Sequence, residues 1–469
     1  MTPLWTSPEA VAATGGENMR PWQATGVSID SRSLQPGDLF VALAGPHHDG
    51  HEYVKAALVK GAGAAMVHRL PEGIIGQAPL LIVADTMKAL ENLGRAARAR
   101  TSAAILAVTG SVGKTGTKEA LRHALEMFGP THASAGSLNN HWGVPLSLAR
   151  MRRDARYAVF ELGMNHGGEI EALSRLVRPD VAVITNVEPA HLGFFPSVEA
   201  IADAKAEIFS SMPRTGAGVL NRDNPHFERL AAAAARAGIS RVYGFGGNTD
   251  AAVRLIDCHL HATASAVTAS VLGEIVDYCL ALPGRHWVMN SLAVLGAVPA
   301  LGGDVGAAST SFSSLTPLEG RGMHHRIAVE GGTADLVDES YNASPASMRA
   351  AIEVLGAARP GPGGRRIAIL GDMLELGQSS LQLHASLIEP IALAKIDLVF
   401  TVGPEMRALH DALPAHRRGG YTVSAGAMAE MVASRLRPGD IVTVKGSHGS
   451  SMGDVVASLL ATPVYAAKG

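Results

Sequence analysis

The chain has 469 residues, of which 47% are hydrophobic and 17% are charged. Lys and Arg number 40 against 42 Asp and Glu, and this balance argues against nucleic acid or an anionic membrane as a partner. Two cysteines, Cys258 and Cys279, are too few for a disulfide framework and are typical of a reducing compartment. A chain of this length exceeds one hydrophobic core and predicts about three domains.

Neither a secretory leader nor a membrane span is predicted. The first residues, MTPLWTSPEAVAATGG, lack a basic start followed by an apolar run. No uninterrupted apolar stretch reaches the roughly 18 residues that a membrane span needs. We therefore expect a cytoplasmic protein. We also expect a monomer.

Short strands alternate with helices in the first hundred residues. Residues 26–43 predict two strands around a Pro-Gly turn, and residues 53–68 predict a helix followed by a strand. Residues 79–86 predict another strand, and an Ala- and Arg-rich helix over 87–100 follows. Together these elements predict a small N-terminal α/β domain over residues 1–100.

A glycine turn between an apolar strand and a helix opens the next domain. Residues 104–108 predict a buried strand, and residues 118–121 are strong helix formers. Backbone N–H groups at a helix start attract phosphate, Lys114 adds a full charge, and Thr115 offers a hydroxyl to Mg²⁺. The predicted nucleotide-binding residues are Thr109, Gly110, Ser111, Val112, Gly113, Lys114 and Thr115.

The glycine spacing of this loop is unusual. The Walker pattern G-x-x-x-x-G-K would place its first glycine at Val108, whereas the glycine here is Gly110. A plain glycine turn beside a surface lysine is the alternative interpretation. Nucleotide binding is the prediction, and the reaction stays open at this point.

Three polar residues of the central domain, residues 101–316, could do chemistry. Apolar strands over 157–163 and 181–187 predict a mostly parallel sheet. Glu161 and His191 come from the ends of these strands, which we expect to be neighbours, and could hold a second Mg²⁺. Lys205 lies in a predicted helical segment. It could be a cation that binds the triphosphate, or it could be an ordinary exposed lysine. A helix-capping Glu and an ordinary polar His are the structural alternatives.

Residues 317–469 repeat the strand–helix alternation and predict a doubly wound, Rossmann-like domain, with polar residues after the strands. Ser344 is a predicted helix N-cap and Pro345 suits the first helical position. Asp338, Tyr341 and Asn342 are left in the loop before that helix. There an acidic residue could bind ribose hydroxyls and the other two could meet an adenine; solvated polar residues are the alternative.

Two further residues are candidates for contacts with the nucleotide. Asn290 lies on the predicted helix that follows PGRH, and Arg321 lies at the predicted hinge before the last domain. The guanidinium of Arg321 could reach a phosphate.

The stretch GPHHDGHEY resembles a metal site but is not expected to be one. It packs His47, His48, Asp49, His51 and Glu52 into one loop after a strand. Metal sites bring their ligands together by helix spacing or from distant segments.

Taken together, these motifs resemble the Mur ligase family over nearly the whole chain. Members carry a TGxxGKT phosphate loop, which is the shortened spacing seen at residues 109–115. The versions ELGMN and GDMLELG favour members that add D-alanyl-D-alanine to UDP-N-acetylmuramoyl-tripeptide, and residues 317–469 lack the DNPR-like motif of the diamino-acid-adding relatives. The other matching stretches are DSRSLQPGDLFVALAG with DGH, SLNNHWGVPLSL, ITNVEPAHLGFF, AKAEIF, DESYNASPASM and KGSHGSSM.

The resemblance implies an ATP-dependent amide ligase of peptidoglycan precursor synthesis. The tripeptide carboxylate would attack the γ-phosphate of ATP, and the dipeptide amine would then displace phosphate from the acyl phosphate. It implies two Mg²⁺ ions, with Thr115 on one and with Glu161 and His191 on the other. It also implies that Lys205 is carbamylated by CO₂ and becomes a further ligand of the second ion.

The resemblance assigns the substrates to domains as well. The N-terminal domain would hold the UDP moiety with Ser31 and Arg32, Asn139 and Asn140 would contact substrate, and the last domain would take the dipeptide and close over ATP. The departures from the family pattern are Gly116, where Thr or Ser is usual, and His141, Trp142 and Gly453. Another Mur-type or folylpolyglutamate-synthase-like ligase and a non-catalytic ATP-dependent binding module remain as alternatives.

Overall fold

The computed structural model describes residues 2–45, 48–74, 78–189 and 192–461. Three α/β units follow one another along the chain, and each is built on its own main sheet. No helix in the described part of the chain is long and apolar enough to cross a bilayer.

The N-terminal unit contains a small, mostly parallel sheet. Its elements are β1 (Trp5–Thr6), α1 (Ser7–Thr14), β2 (Glu17–Asn18), β3 (Gln23–Ala24), β4 (Gly26–Ser28), β5 (Asp38–Val41), α2 (Val54–Val59), β6 (Ala64–Val67), β7 (Leu80–Ile82) and α3 (Thr86–Arg100). The order of its five strands is β2-β7-β6-β5-β4, and β1 pairs with β3 separately. The expected strands and helices are confirmed. Because β4 and β5 pair in parallel, the Pro-Gly segment between them belongs to a crossover and not to a hairpin.

The central unit carries a nine-stranded sheet. Its elements are β8 (Ala104–Thr109), α4 (Lys114–Glu126), β9 (Thr131–Ala133), α5 (Gly143–Ala149), β10 (Tyr157–Glu161), α6 (Glu169–Val177), β11 (Val181–Ile184), α7 (Val198–Ala206), β12 (Ala217–Asn221), α8 (Phe227–Arg236), β13 (Arg241–Gly246), β14 (Val253–Leu260), β15 (Ser265–Val271), β16 (Glu274–Leu280), α9 (Arg285–Ala300) and α10 (Val305–Ser311). The strand order is β16-β15-β14-β13-β12-β11-β8-β10-β9, and only β15 and β16 run antiparallel to their neighbours.

The expectation that the strands before Glu161 and His191 are neighbours is wrong. β10 and β11 both pair with β8, one on each side of it. The chain leaves β8 toward β9 and β10 and then crosses back to β11, so the first strand of this sheet becomes a central one. The end of β8 is therefore the point at which the connections diverge, where open α/β sheets form their ligand crevice.

The last unit is a doubly wound sheet. Its elements are β17 (Met323–Val329), β18 (Gly332–Glu339), α11 (Pro345–Ala357), β19 (Arg366–Gly371), α12 (Ser380–Ala385), α13 (Ile388–Leu393), β20 (Leu398–Val402), α14 (Arg407–Ala412), β21 (Arg418–Thr422), α15 (Ala425–Ala433), β22 (Ile441–Lys445) and α16 (Met452–Ala461). The order of its six strands is β17-β18-β22-β19-β20-β21, parallel except for the β17–β18 hairpin. Ser344 caps α11 by accepting a hydrogen bond from Ser347 N, as predicted.

Burial explains which segments became central strands. β8, β10 and β11 are apolar and almost wholly buried, as expected for parallel strands covered by helices on both faces. One hydrophobic cluster joins the N-terminal and central units and includes Trp5, Leu93 and Phe160. Trp5 Nε1 donates to Ala149 O at 2.8 Å across this contact, so the two units are packed together through side chains from both.

Candidate active site

The loop between β8 and α4 is tied to the end of β11. Asn186 accepts hydrogen bonds from Ser111 N through its main-chain oxygen and from Val112 N through Oδ1, both at 3.1 Å. Thr185 Oγ1 donates to Val112 O at 2.6 Å. Gly110 has a φ of +151°, and a Cβ built there would lie 1.9 Å from Thr185 Oγ1. A glycine at position 110 is therefore a requirement of this close approach.

Lys114 begins α4 and folds over the loop. Its Nζ donates to Gly110 O at 2.7 Å and lies 3.4 Å from Ser111 O. Gly113, with a φ of +84°, supplies the left-handed turn that starts the helix. Burial lowers the pKa of Lys114, the Glu161 carboxylate opposes this shift, and the Arg321 charge adds to it. The ammonium group thus lies in the cradle that the phosphate-loop prediction requires.

Beside the loop, four oxygen-bearing side chains meet in a cluster around the buried Thr115 and Glu161. Thr115 Oγ1 donates to Glu161 Oε2 at 2.8 Å, and Asn139 Nδ2 donates to Glu161 Oε1 at 2.7 Å. Ser137 Oγ lies 3.4 Å from Thr115 Oγ1. Glu161 is 1% exposed and Thr115 is 4% exposed. The contact brings together two residues that the sequence resemblance assigned to different ions.

The donor set of this cluster fits Mg²⁺, because hydroxyl and carboxylate oxygens are hard ligands. Within the described ranges, no group of three or more His, Cys, Asp or Glu side chains is arranged to hold a metal ion. An ion at Thr115 and Glu161 would therefore take its remaining ligands from phosphate and water, which is how Mg²⁺ is usually bound.

Lys205 lies on α7 and is 2% exposed. Burial, together with the charge of Lys114, lowers the pKa of Lys205 well below its ordinary value. No ion pair or hydrogen bond reaches its Nζ from the residues that the structure describes. His191, the predicted partner in metal binding, lies outside the described residues.

Asp338 does not lie in the loop where it was expected. It is the penultimate residue of β18, because the pairing of β18 with β22 continues through Glu339. Its carboxylate accepts hydrogen bonds from Gly320 N at 3.1 Å and from Ser340 N at 3.0 Å. Asp338 therefore fastens the segment before β17 to the end of β18.

Arg321 extends from this fastened segment to the central unit. Its Nη2 donates to Ser137 Oγ at 3.2 Å, beside the oxygen cluster. Its guanidinium lies 4.2 Å from the centroid of the Tyr341 ring, which is cation–π distance. The adjacent Asn342 accepts from Ala343 N through Oδ1 at 2.9 Å. The structure thus brings the Arg321 guanidinium close to the predicted phosphate site.

Asn290 lies on α9, against the start of α4. A Cβ built at Gly113 would lie 2.9 Å from Asn290 Oδ1, so the amide closely covers the phosphate loop. A Cβ built at Gly116 would lie 2.9 Å from the Trp287 ring. The indole of Trp287 therefore occupies the space that a Thr or Ser at position 116 would need.

The remaining predicted substrate residues have mainly local contacts. The side chain of Arg32 is 89% exposed and pairs with Asp30 at 2.7 Å. Ser31 O accepts from Lys60 Nζ at 3.1 Å. Asn140 Oδ1 accepts from Gly143 N at 2.9 Å, before α5.

In the histidine-rich loop, the described contacts of His51 are structural. Its Nδ1 pairs with Asp49 Oδ1 at 2.7 Å, and its Nε2 accepts from His68 N at 3.1 Å. Both ring nitrogens are therefore in use. His47 lies outside the described residues.

Three residues of this site were not indicated by any single motif. Ser137 lies between the Thr115 hydroxyl and the Arg321 guanidinium, and Thr185 and Asn186 form the wall of the phosphate loop. The stretches SLNNHWGVPLSL and ITNVEPAHLGFF, which contain them, were the available signal.

Comparisons with known proteins cover each unit in turn. Residues 23–98 match the family described as "Mur ligase family, catalytic domain". Residues 108–298 match "Mur ligase middle domain", and residues 325–448 match "Mur ligase, glutamate ligase domain".

Individual relatives match over almost the whole length of the chain. The UDP-N-acetylmuramoyl-tripeptide–D-alanyl-D-alanine ligase of Escherichia coli is 36% identical over 435 residues, which are 92% of this chain and 93% of that protein. The crystal structure of MurF from Acinetobacter baumannii superposes with a TM-score of 0.82 at 29% identity, covering 98% of this chain and 99% of that one. MurF ligase from Thermotoga maritima in complex with ADP gives a TM-score of 0.76 at 26% identity, covering 92% and 96%. With the phosphate loop and its oxygen cluster in place, these matches show that the chain belongs to the Mur ligase family.

Proposed function

We propose that this chain is an ATP-dependent peptide ligase that joins D-alanyl-D-alanine to UDP-N-acetylmuramoyl-tripeptide in peptidoglycan precursor synthesis. The observation that carries the proposal is the convergence of Lys114, Thr115 and Glu161 with Arg321 from another unit at the end of β8. The E. coli relative, 36% identical, is named for this reaction, and the T. maritima neighbour was solved with ADP.

The charges of the site suit the first step of this reaction. A tripeptide carboxylate oxygen attacks the γ-phosphorus of ATP, the bond to the bridging oxygen breaks, and ADP leaves with that electron pair. Both reactants are anions, and the cations of Lys114 and Arg321 near the oxygen cluster offset their repulsion.

The second step needs no covalent group on the protein. The dipeptide amine attacks the acyl carbon, loses a proton, and the bond from carbon to the phosphate oxygen breaks. Of the two cysteines, Cys258 lies in β14 and Cys279 in β16, away from the phosphate loop. An ordered reaction follows, in which ATP and the tripeptide react before the amine is needed.

Mg²⁺ would supply charge neutralisation and orientation of the phosphates at this site. Thr115 and Glu161, with Ser137 beside them, would hold one ion. Glu161, His191 and a carbamate on Lys205 would hold the second. Carbamate formation joins the neutral amine of Lys205 to CO₂ and releases one proton, and the lowered pKa of Lys205 makes that neutral amine available.

Other roles are assigned by position. Residues 109–115 and Asn290 would hold the phosphates and nucleoside, with Asp338, Tyr341 and Asn342 on the side of the last unit. Ser31 and Arg32 would face the UDP moiety, and Asn139 and Asn140 the tripeptide end. We propose domain limits of 1–100, 101–316 and 317–469, with the dipeptide bound by the last domain.

The nature of the substrates suggests where the protein works. They are a nucleotide-linked sugar peptide, a free dipeptide and ATP, all of which are cytoplasmic small molecules. We therefore place the protein in the cytoplasm, as a monomer without nucleic acid or membrane partners.

The test is an ADP assay with the purified protein, ATP and Mg²⁺. We expect ADP and a product with the mass of the UDP-linked pentapeptide only when UDP-N-acetylmuramoyl-tripeptide and D-alanyl-D-alanine are both present. Turnover with a shorter UDP-peptide and a single amino acid, or with a folate and glutamate, would instead indicate one of the other ligases. If no acceptor combination leads to ADP formation, the protein is not a ligase, and the non-catalytic binding module is the remaining alternative.

A further inference from the structure

A fully buried lysine lies one turn beyond the phosphate loop. Lys118, on α4, is 0% exposed. Its Nζ donates to Ser134 O at 2.5 Å and to Gly136 O at 2.8 Å, and it pairs with Glu119 Oε1 at 2.7 Å. The three N–H groups of the ammonium therefore have three acceptors.

The two carbonyl groups belong to the loop, residues 134–139, that follows β9. Ser134 also forms two hydrogen bonds with β10. Ser134 N donates to Val159 O at 3.1 Å, and Ser134 Oγ accepts from Glu161 N at 3.2 Å. The same loop carries Ser137 and Asn139, whose side chains contact Thr115 and Glu161. The base of the loop is thus held by Lys118, and its far part meets the oxygen cluster.

Helix geometry links this anchor to the cluster. Thr115 and Lys118 are three residues apart on α4, so they lie on the same face of the helix. One face of α4 therefore presents the Thr115 hydroxyl to Glu161 and the Lys118 ammonium to the loop carbonyls. Any shift of the loop along the helix would break both sets of contacts.

A charge at this place is costly unless it has a specific use. An ammonium without water must have all its hydrogen bonds satisfied, and buried ion pairs often add no stability over apolar residues of similar volume. Burial would raise the pKa of Glu119, but the charge and hydrogen bonds of Lys118, with those of Arg122, outweigh it and lower that pKa. This shift favours the carboxylate form of Glu119 beside Lys118.

We propose that Lys118 is a positioning residue that fixes the 134–139 loop, so that Ser137 and Asn139 hold Thr115 and Glu161 in the geometry that binds the Mg²⁺–nucleotide complex. The proposal rests on the proposed function only for the identity of the ligand at this cluster. It assigns to Lys118 no contact with substrate.

The test compares Lys118→Met and Lys118→Gln with the wild type, using two readouts that need no acceptor substrate. Hydrogen exchange of the nucleotide-free protein is expected to rise about tenfold within residues 134–139 of Lys118→Met and to stay unchanged in β8, β10 and β11. Calorimetric affinity for Mg²⁺–ADP is expected to fall about 10- to 100-fold, the usual range for groups that orient metal ligands. Lys118→Gln keeps a donor for one carbonyl, so its loop exchange and its Mg²⁺–ADP affinity should lie between those of the wild type and of Lys118→Met.

Two control variants separate this role from simple loss of charge. Lys88→Met removes an exposed lysine that pairs with Glu91 and should match the wild type in both readouts. Glu119→Gln removes the charge partner but keeps both carbonyl bonds, so loop protection should persist.

Three results would overturn the proposal. The first is a folded Lys118→Met whose loop exchange and Mg²⁺–ADP affinity equal those of the wild type. The second is hydrogen exchange that rises equally throughout the central sheet. The third applies if Lys118→Met does not fold, and it is a Lys118→Gln that matches the wild type in both readouts. If the acceptor substrates named under the proposed function are wrong, loop exchange and Mg²⁺–ADP affinity still change as expected. Failure of the proposed function can therefore be told apart from failure of this proposal.

Discussion

Replacing Lys114 by Met is expected to lower turnover by about 10²–10³ at saturating ATP and Mg²⁺, because one preorganised charge-stabilising group is typically worth about 3–4 kcal/mol. In the structure the Lys114 ammonium lies on Gly110 O, at the start of the helix whose N–H groups face the same space. With a triphosphate bound, the ammonium would leave this carbonyl and bind phosphate oxygens. In Lys114→Met, the negative charge that develops during phosphoryl transfer would lack this stabilising cation. Met keeps the length of the side chain, so the packing of the loop should survive.

The measurement is steady-state ADP formation with all three substrates, together with calorimetric affinity for Mg²⁺–ADP. Lys88→Met serves as the control, since it deletes an exposed lysine of α3. Turnover of Lys114→Met near that of the control would contradict the assignment of this loop as the phosphate site.

Replacing Lys205 by Ala should abolish most activity, and short carboxylates such as acetate or formate should restore part of it. A plain ammonium at Lys205 would add to the positive charge of Lys114 and of the metal ions, and it could not ligate Mg²⁺. As a carbamate, the same side chain would end in the hard anionic oxygen that Mg²⁺ prefers. Its burial and lowered pKa allow the neutral amine to react without alkaline pH.

Lys205→Arg is the matched variant, because it keeps the charge but cannot form the carbamate. Turnover of both variants is measured across a carboxylate titration at fixed ionic strength, and carbon-13 NMR under labelled CO₂ should show a carbamate signal in the wild type alone. An active Lys205→Arg would indicate an ordinary cation at this place.

The phosphate loop could be predicted from the sequence because the residues that signal it are contiguous. An apolar strand, two glycines and a helix start lie within residues 104–126, and β8 and α4 form there as expected. The same holds for the Ser344 cap of α11, where residues 344–347 make all the relevant contacts.

The strand order could not be predicted in this way. Residues 157–161 and 181–184 are both mainly apolar and buried, and neither sequence indicates which strand it pairs with. Both strands pair with β8, one on each side, and this arrangement depends on how the chain crosses over between β10 and β11. Asp338 was misplaced for a related reason. A strand that continues to Glu339 depends on its partner β22, about a hundred residues later in the chain.

Long-range side-chain contacts explain the site residues that were missed. Ser137 becomes part of the site because Thr115 and Arg321, from distant parts of the chain, both approach it. Lys118 acquires its role from carbonyl groups that have no sequence signature. Gly116 illustrates the opposite case: its departure from the family pattern was visible in the sequence, whereas its compensation by Trp287 appears only when α4 packs on α9.

In the proposed mechanism, ATP activates the tripeptide carboxylate by phosphoryl transfer before D-alanyl-D-alanine attacks. Oxygen-18 in that carboxylate tests it directly, with mass spectrometry of the inorganic phosphate and of the UDP-linked product. We expect that each phosphate released carries one oxygen-18 atom from the carboxylate and that the new amide keeps the other. Unlabelled phosphate, with the product still formed, would contradict it.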